Sequence, residues 1–112
     1  MKKLIQRIKE VSENDEASAE QLALKGMEEL GELAAGLFMD SGYKRTTLTE
    51  QEVKENILEE VIDVIICMLA ILERKNLLNE EAVEEMFNKK IKKWNKSLKK
   101  RKKRLWEKEN MK

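Results

Sequence analysis

No histidine and no proline occur among these 112 residues, and cysteine occurs once. Without histidine, any metal site in the chain has to be built from oxygen, which excludes the usual nitrogen and sulfur sites of zinc. One cysteine excludes a disulfide framework within the chain. Cys67 lies in an apolar run and reads as a reduced, inert core residue. Aromatic residues are only 4% of the chain, so a compact monomeric core would be thin, and helix-on-helix oligomerisation would supply the missing burial. Long apolar runs are also lacking. Residues 61–72 are too short and too acidic at their edge to span a membrane, and Lys2 and Lys3 precede an amphipathic pattern rather than a signal peptide. The expectation is a single soluble, cytoplasmic domain with no membrane partner.

What the chain does have is charge and aliphatic residues at helical spacing. Charged residues make up 40%, and together with four glycines and no proline they point to an all-α protein of four-helix-bundle type. The formal net charge of +1 hides an asymmetry: residues 1–88 hold ten Lys/Arg against twenty Asp/Glu, while residues 89–112 hold thirteen against two. Such halves attract each other, within a subunit or between subunits, and the basic end also attracts phosphates.

The periodicity predicts a short helix over 2–13 with Leu4, Ile5, Ile8 and Val11 on one face, broken by Ser12–Asp15. Ser18 with Gln21 resembles a capping box opening a second helix over about 19–39, whose apolar face is Leu22, Met27, Leu30, Leu33, Ala34 and Leu37. Gly31 and Gly36 inside it suggest close helix packing. Thr49 with Glu52 opens a third helix over about 50–75, and Asn79 caps a fourth with Val83, Met86, Phe87, Ile91 and Trp94 on its apolar face. Domain limits are set at 1–95 for the helical domain and 96–112 for a basic extension that either continues the fourth helix or frays.

Two acidic pairs carry most of the functional information. Glu29 and Glu32 lie on the second helix, and Glu60 and Asp63 on the third. Residues three apart share a helix face, so each pair makes a two-pronged surface. From Val61 to Leu72 the only charged residue is Asp63, and a helix apolar all round is expected to be buried. A carboxylate at its entrance then needs a cation or strong donors. The short loop between the helices favours an antiparallel hairpin, in which level residues share an index sum. Glu29 with Asp63 and Glu32 with Glu60 share the sum 92, so the pairs are in register. Four carboxylates form an all-oxygen site suited to Mg2+ first and to Mn2+ or Ca2+ next. A water acidified by such a metal is a natural nucleophile, and Glu28 or Glu59, rotated about 100° from the ligand pairs, would orient or deprotonate it. The bland alternative is that these acids are solvated helix faces, with Lys25 simply pairing with Glu29.

The segments Met27-Glu28-Glu29-Leu30-Gly31-Glu32-Leu33-Ala34 and Leu58-Glu59-Glu60-Val61-Ile62-Asp63-Val64-Ile65 resemble the signature of the MazG-like, all-α nucleoside triphosphate pyrophosphohydrolases. The resemblance covers about residues 20–94. It implies a helical bundle assembling as a homodimer or homotetramer, with Mg2+ held by Glu29, Glu32, Glu60 and Asp63. It further implies hydrolysis of a (deoxy)nucleoside triphosphate between the α and β phosphates, giving the monophosphate and pyrophosphate and clearing non-standard or surplus nucleotides. The family's fourth helix often carries a Lys, an Asn four residues later, then a basic residue before an aromatic. Aligned on Trp94, those places hold Met86, Lys90 and Lys93, of which the last agrees, with Asn88 and Lys89 nearby to substitute. Lys89, Lys90 and Lys93 are point charges suited to phosphates, and Phe38 and Tyr43 are candidate stacking surfaces for a base. Two other classes compete. Lys96, Lys99, Lys100, Arg101, Lys102, Lys103 and Arg104, interleaved with Trp94 and Trp106, suit a nucleic-acid-binding module. A catalytically silent structural relative is the third.

Overall fold

A computed structural model of the chain describes residues 2–111; among these are four α-helices and no strand. The helices are α1 (Lys2–Ser12), α2 (Ala19–Asp40), α3 (Glu50–Arg74) and α4 (Glu80–Asn110). Contacts divide the chain between Leu78 and Asn79 into two compact units, which are described separately below.

The helix starts follow from local chemistry. The first amides of a helix have no partner within it, and short polar side chains supply one. Ser18 accepts from the Gln21 amide at 3.1 Å while Gln21 Oε1 accepts from the Ser18 amide at 2.8 Å. Thr49 and Glu52 make the same reciprocal pair at 3.2 and 3.0 Å, which holds the Glu52 carboxyl below the ordinary carboxylate value. Asn79 Oδ1 accepts from the Ala82 amide at 3.0 Å. Between α2 and α3 the chain turns through Gly42 at φ +79°, a left-handed backbone that glycine adopts without strain.

Within the first unit, α2 and α3 form the antiparallel hairpin. Position 26 faces Cys67 and Met68, and position 36 faces Ile57, so level residues have index sums of 93 to 94, close to the expected 92. The inward seam of α2 is Leu22, Gly26, Glu29, Leu33 and Gly36, all buried or half-buried. On α3 it is Val53, Ile57, Glu60, Val64 and Cys67. This corrects the expected face of α2. Leu22 and Leu33 do turn inward, but Met27, Leu30, Ala34 and Leu37 are exposed. The helix has apolar residues on two sides, and the hairpin uses the side where two glycines let α3 approach. A Cβ added at Gly31 would meet nothing within 4 Å, so close packing explains Gly36 and Gly26 and not Gly31. Nor is α3 buried all round: Ile62, Ile65, Ile66 and Met68 are each more than 40% exposed, because α2 and α1 leave its remaining side uncovered.

Helix α1 packs on α3 through Ile5, Ile8 and Ser12, leaving Leu4 and Val11 exposed, a further departure from the apolar pattern. The cause is Arg74. Its guanidinium donates to the carbonyls of Ser12, Asp15 and Ala17 at 2.7–2.8 Å and to the Ser12 hydroxyl at 2.7 Å, and it also pairs with Glu73. The Ser12 hydroxyl in turn donates to Glu73 at 3.0 Å, so the α1–α2 connection is fastened to the end of α3 and Ser12 is drawn inward.

The second unit is α4, one helix of 31 residues that runs through residues 95 and 96 without a break. None of its described residues is buried, so Phe87, Ile91 and Trp94 are not core residues. Its apolar residues Phe87, Ile91, Trp94, Leu98 and Leu105 recur at alternating four- and three-residue steps, interrupted by Arg101. Lys92, Lys96, Lys100, Arg104 and Lys108 form a row at four-residue intervals on the opposite side.

Candidate metal centre

The hairpin register brings three of the four expected ligands together. Glu29 from α2 and Glu60 and Asp63 from α3 each offer a carboxylate oxygen, and these oxygens lie within 4.8 Å of one another. All three side chains are half-buried in or beside the seam. Glu32, one turn along α2, is exposed and lies outside this mutually close group, although its side chain also comes within hydrogen-bonding approach of Glu60.

Glu60 is the centre of the cluster's electrostatics. The hydrogen-bonding approach of Glu29, then burial, then Glu32 push its carboxyl up to about 7 from an ordinary value near 4.5. When all the acids are ionised none can donate, and the buried Glu60 Oε2 has no hydrogen-bond partner. A proton or a cation among these oxygens would relieve that repulsion.

Among the described residues no lysine or arginine forms an ion pair with them. The ion pairs among the described residues are Lys54–Glu50, Arg74 with Asp15 and Glu73, and Lys103–Glu107. Lys25 forms no ion pair with Glu29, so the simple surface pairing that would have explained this acid is not made. Cys67 is buried against the same seam, and burial pushes its thiol up, which keeps it protonated and inert.

The spacing can be compared with what an ion requires. Oxygens on opposite sides of Mg2+ are about 4.2 Å apart, and of Ca2+ about 4.8 Å. A cluster spanning no more than 4.8 Å therefore suits one hard cation, with remaining positions open to water or phosphate oxygen. The donor set, all carboxylate, and the orphaned Glu60 oxygen fit such an ion.

The other expected site residues are placed differently. Glu28 and Glu59 are exposed and lie outside the three-oxygen group. Phe38 and Tyr43, both exposed, pack on each other at a centroid distance of 5.3 Å. Asn88, Lys89, Lys90 and Lys93 are exposed on α4, in the second unit. Sequence reasoning missed Gly26, whose signal was its place in the Leu22–Gly26–Glu29–Leu33–Gly36 spacing. Compared with family models, with curated proteins and with solved structures, the chain shows no significant match.

Proposed function

We propose that this chain is an Mg2+-dependent nucleoside triphosphate pyrophosphohydrolase that cleaves between the α and β phosphates. The observation that carries the reading is the convergence of Glu29, Glu60 and Asp63, from two helices, into an unneutralised all-oxygen cluster. The resemblance of the segments 27–34 and 58–65 to the MazG-like signature supports the same assignment.

In this reading Glu29, Glu60 and Asp63 would hold the ion, with Glu32 beside them. The bound ion, with Mn2+ as an alternative, neutralises phosphate charge and acidifies water. Glu28 or Glu59 orients the attacking water and accepts its proton, a role open to exposed groups at the solvent side of the cluster. Lys89, Lys90 and Lys93, with Asn88, bind phosphate oxygens from α4. A triphosphate carries about four negative charges, so it approaches an acidic cluster only with cations between them.

The test is pyrophosphate release from a panel of canonical and modified nucleoside triphosphates with and without Mg2+. Release should require the metal and be abolished by Glu29→Gln or Asp63→Asn, with helicity unchanged by circular dichroism. Normal turnover in both variants refutes the site. A second reading, a nucleic-acid-binding module, is favoured by the long, exposed basic row of α4. It requires a salt-dependent gel shift with unrelated DNA or RNA.

A further inference from the structure

The two helices that carry the acidic cluster have few basic residues: Lys25 on α2, and Lys54 and Arg74 on α3. Two of these are already engaged. Lys54 pairs with Glu50 at 3.1 Å, and Arg74 is held by Glu73 and by the carbonyls of Ser12, Asp15 and Ala17. Lys25 forms no ion pair among the described residues, although two acids share its side of the helix.

Glu29 and Glu32 follow Lys25 by four and seven residues, so the three side chains leave α2 within about 60° of one another. Their order explains the missing bond. Side chains on a helix lean towards its N-terminus, and an acid four residues before a lysine pairs better than one four residues after it. The Lys25 ammonium therefore stands off the carboxylates and does not close on them. Across the seam, position 26 packs against Cys67 and Met68, and Cys67 lies one turn beyond Asp63 on α3. One turn along each helix, about 6 Å, leads from the cluster to Lys25 and Cys67. The Cys67 thiol registers the same arrangement. Burial pushes it up, the Lys25 charge opposes that, and Glu29 and Asp63 reinforce it, so the lysine and two cluster acids act on one atom.

Charge then selects a partner for the lysine. Three ionised carboxylates around one divalent cation leave a net charge of about −1, and Glu32 beside them makes it about −2. A phosphate filling the open positions of such an ion meets an anionic surround, and a further cation one turn away offsets it. An ammonium suits this task, being a compact point charge that bonds a phosphate oxygen without the fixed fork of arginine.

We propose that Lys25 is a phosphate-binding residue of this site, contacting the phosphate that fills the open positions of the cluster's cation, an assignment that rests on the metal reading above. It puts one substrate-binding cation on the hairpin itself, in addition to Lys89, Lys90 and Lys93 of α4.

The experiment follows Tm of the full-length protein in EDTA, in excess Mg2+, and in excess Mg2+ with inorganic pyrophosphate. Wild type should gain Tm with Mg2+ and gain more with pyrophosphate, which should add nothing in EDTA. Lys25→Ala and the length-matched Lys25→Gln should keep the Mg2+ rise and lose the pyrophosphate increment. With a triphosphate that wild type turns over, both should raise KM tenfold or more with kcat changed less. Lys25→Arg, which keeps the charge, should restore most of the loss. Lys44→Ala, in the loop beyond α2, should match wild type throughout. A pyrophosphate increment and KM unchanged in both neutral variants overturn the proposal and leave a solvated lysine, while the metal reading stands if Asp63→Asn still removes the Mg2+ rise. Loss of the Mg2+ rise itself in the Lys25 variants overturns it in favour of a structural role. A wild-type Tm that Mg2+ does not raise overturns the metal reading and this assignment together.

Discussion

Glu29 of α2 and Glu60 of α3 hold carboxylate oxygens within 4.8 Å of each other across the hairpin, and among the described residues no lysine or arginine pairs with either. Packing of the helices forces the approach, since both acids occupy the seam that Leu22, Leu33, Val53 and Cys67 bury. Hydrophobic burial therefore works against charge repulsion here, and that opposition can be measured.

The first consequence is a pH-dependent stability of the metal-free protein. Glu60 has a carboxyl raised to about 7 in the fold against about 4.5 as a free side chain. Between those values the folded chain keeps a proton that the unfolded chain has lost, so stability falls as pH rises from 4.5 to 7 and levels off above. Glu52 acts oppositely, but its lowered carboxyl loses its contribution below the ordinary carboxylate value, outside this window. Thermal melts in EDTA should show Tm declining from pH 5 to pH 7.5. Saturating Mg2+ should flatten or reverse the slope, because a cation replaces the proton. A Tm that rises with pH over this range in EDTA contradicts the electrostatics described.

Glu60→Gln separates repulsion from metal binding. The amide removes one negative charge and can donate to Glu29 or Asp63, so the metal-free variant should melt above wild type at pH 8. It should also lose the Tm increase that millimolar Mg2+ gives wild type. Glu32→Gln should keep a reduced Mg2+ response, since Glu32 lies outside the three-oxygen group. Equal loss in both variants would mean that four oxygens close on the ion, as expected from the register alone.

The hairpin's closeness has its own test at Gly26. A methyl group there would meet Met68 Cε at 2.6 Å and Cys67 Cβ at 3.7 Å. The nearer atom is the tip of a flexible, 42% exposed side chain, which can swing away. Alanine gains about 1 kcal/mol of helix propensity, so Gly26→Ala should hold or raise Tm. Gly26→Leu has to push α3 back, and overpacking of this kind costs about 1–3 kcal/mol. It should lower Tm and weaken the Mg2+ response together, because Glu29 moves away from Glu60 and Asp63.

Sequence reading succeeded where the determinants are local. Ser18–Gln21, Thr49–Glu52 and Asn79 open their helices because a cap needs only residues three apart. The pairing of Glu29 with Asp63 followed from a short loop and a constant rise per residue. It failed on which face turns inward. An apolar count favours Met27, Leu30 and Leu37, yet the seam runs through Gly26, Glu29 and Gly36, residues that such a count ignores. Period alone does not rank two apolar faces of one helix. Shape does, through the glycines that let α3 approach. Arg74 escaped notice for another reason: its partners are chiefly backbone carbonyls, which leave no trace in side-chain pattern.

Arg74 supplies the last prediction. Its guanidinium fork reaches three carbonyls and a hydroxyl on the segment from Ser12 to Ala17, with only 16% of the side chain exposed. Arg74→Ala leaves those carbonyls without their donor and the Glu73 carboxylate with the Ser12 hydroxyl alone, at about 3 kcal/mol once the partial exposure is allowed for. For a chain of this size that is a fall in Tm of about 10 °C. Lysine should not rescue it, because a single ammonium cannot span carbonyls that a planar fork reaches together. Asp63 lies eleven residues away on α3, about 16 Å along the axis. The Mg2+-dependent rise in Tm should therefore survive in Arg74→Ala even as its baseline drops. Loss of that rise together with the baseline would show that α1 and its fastening hold the carboxylate cluster in shape.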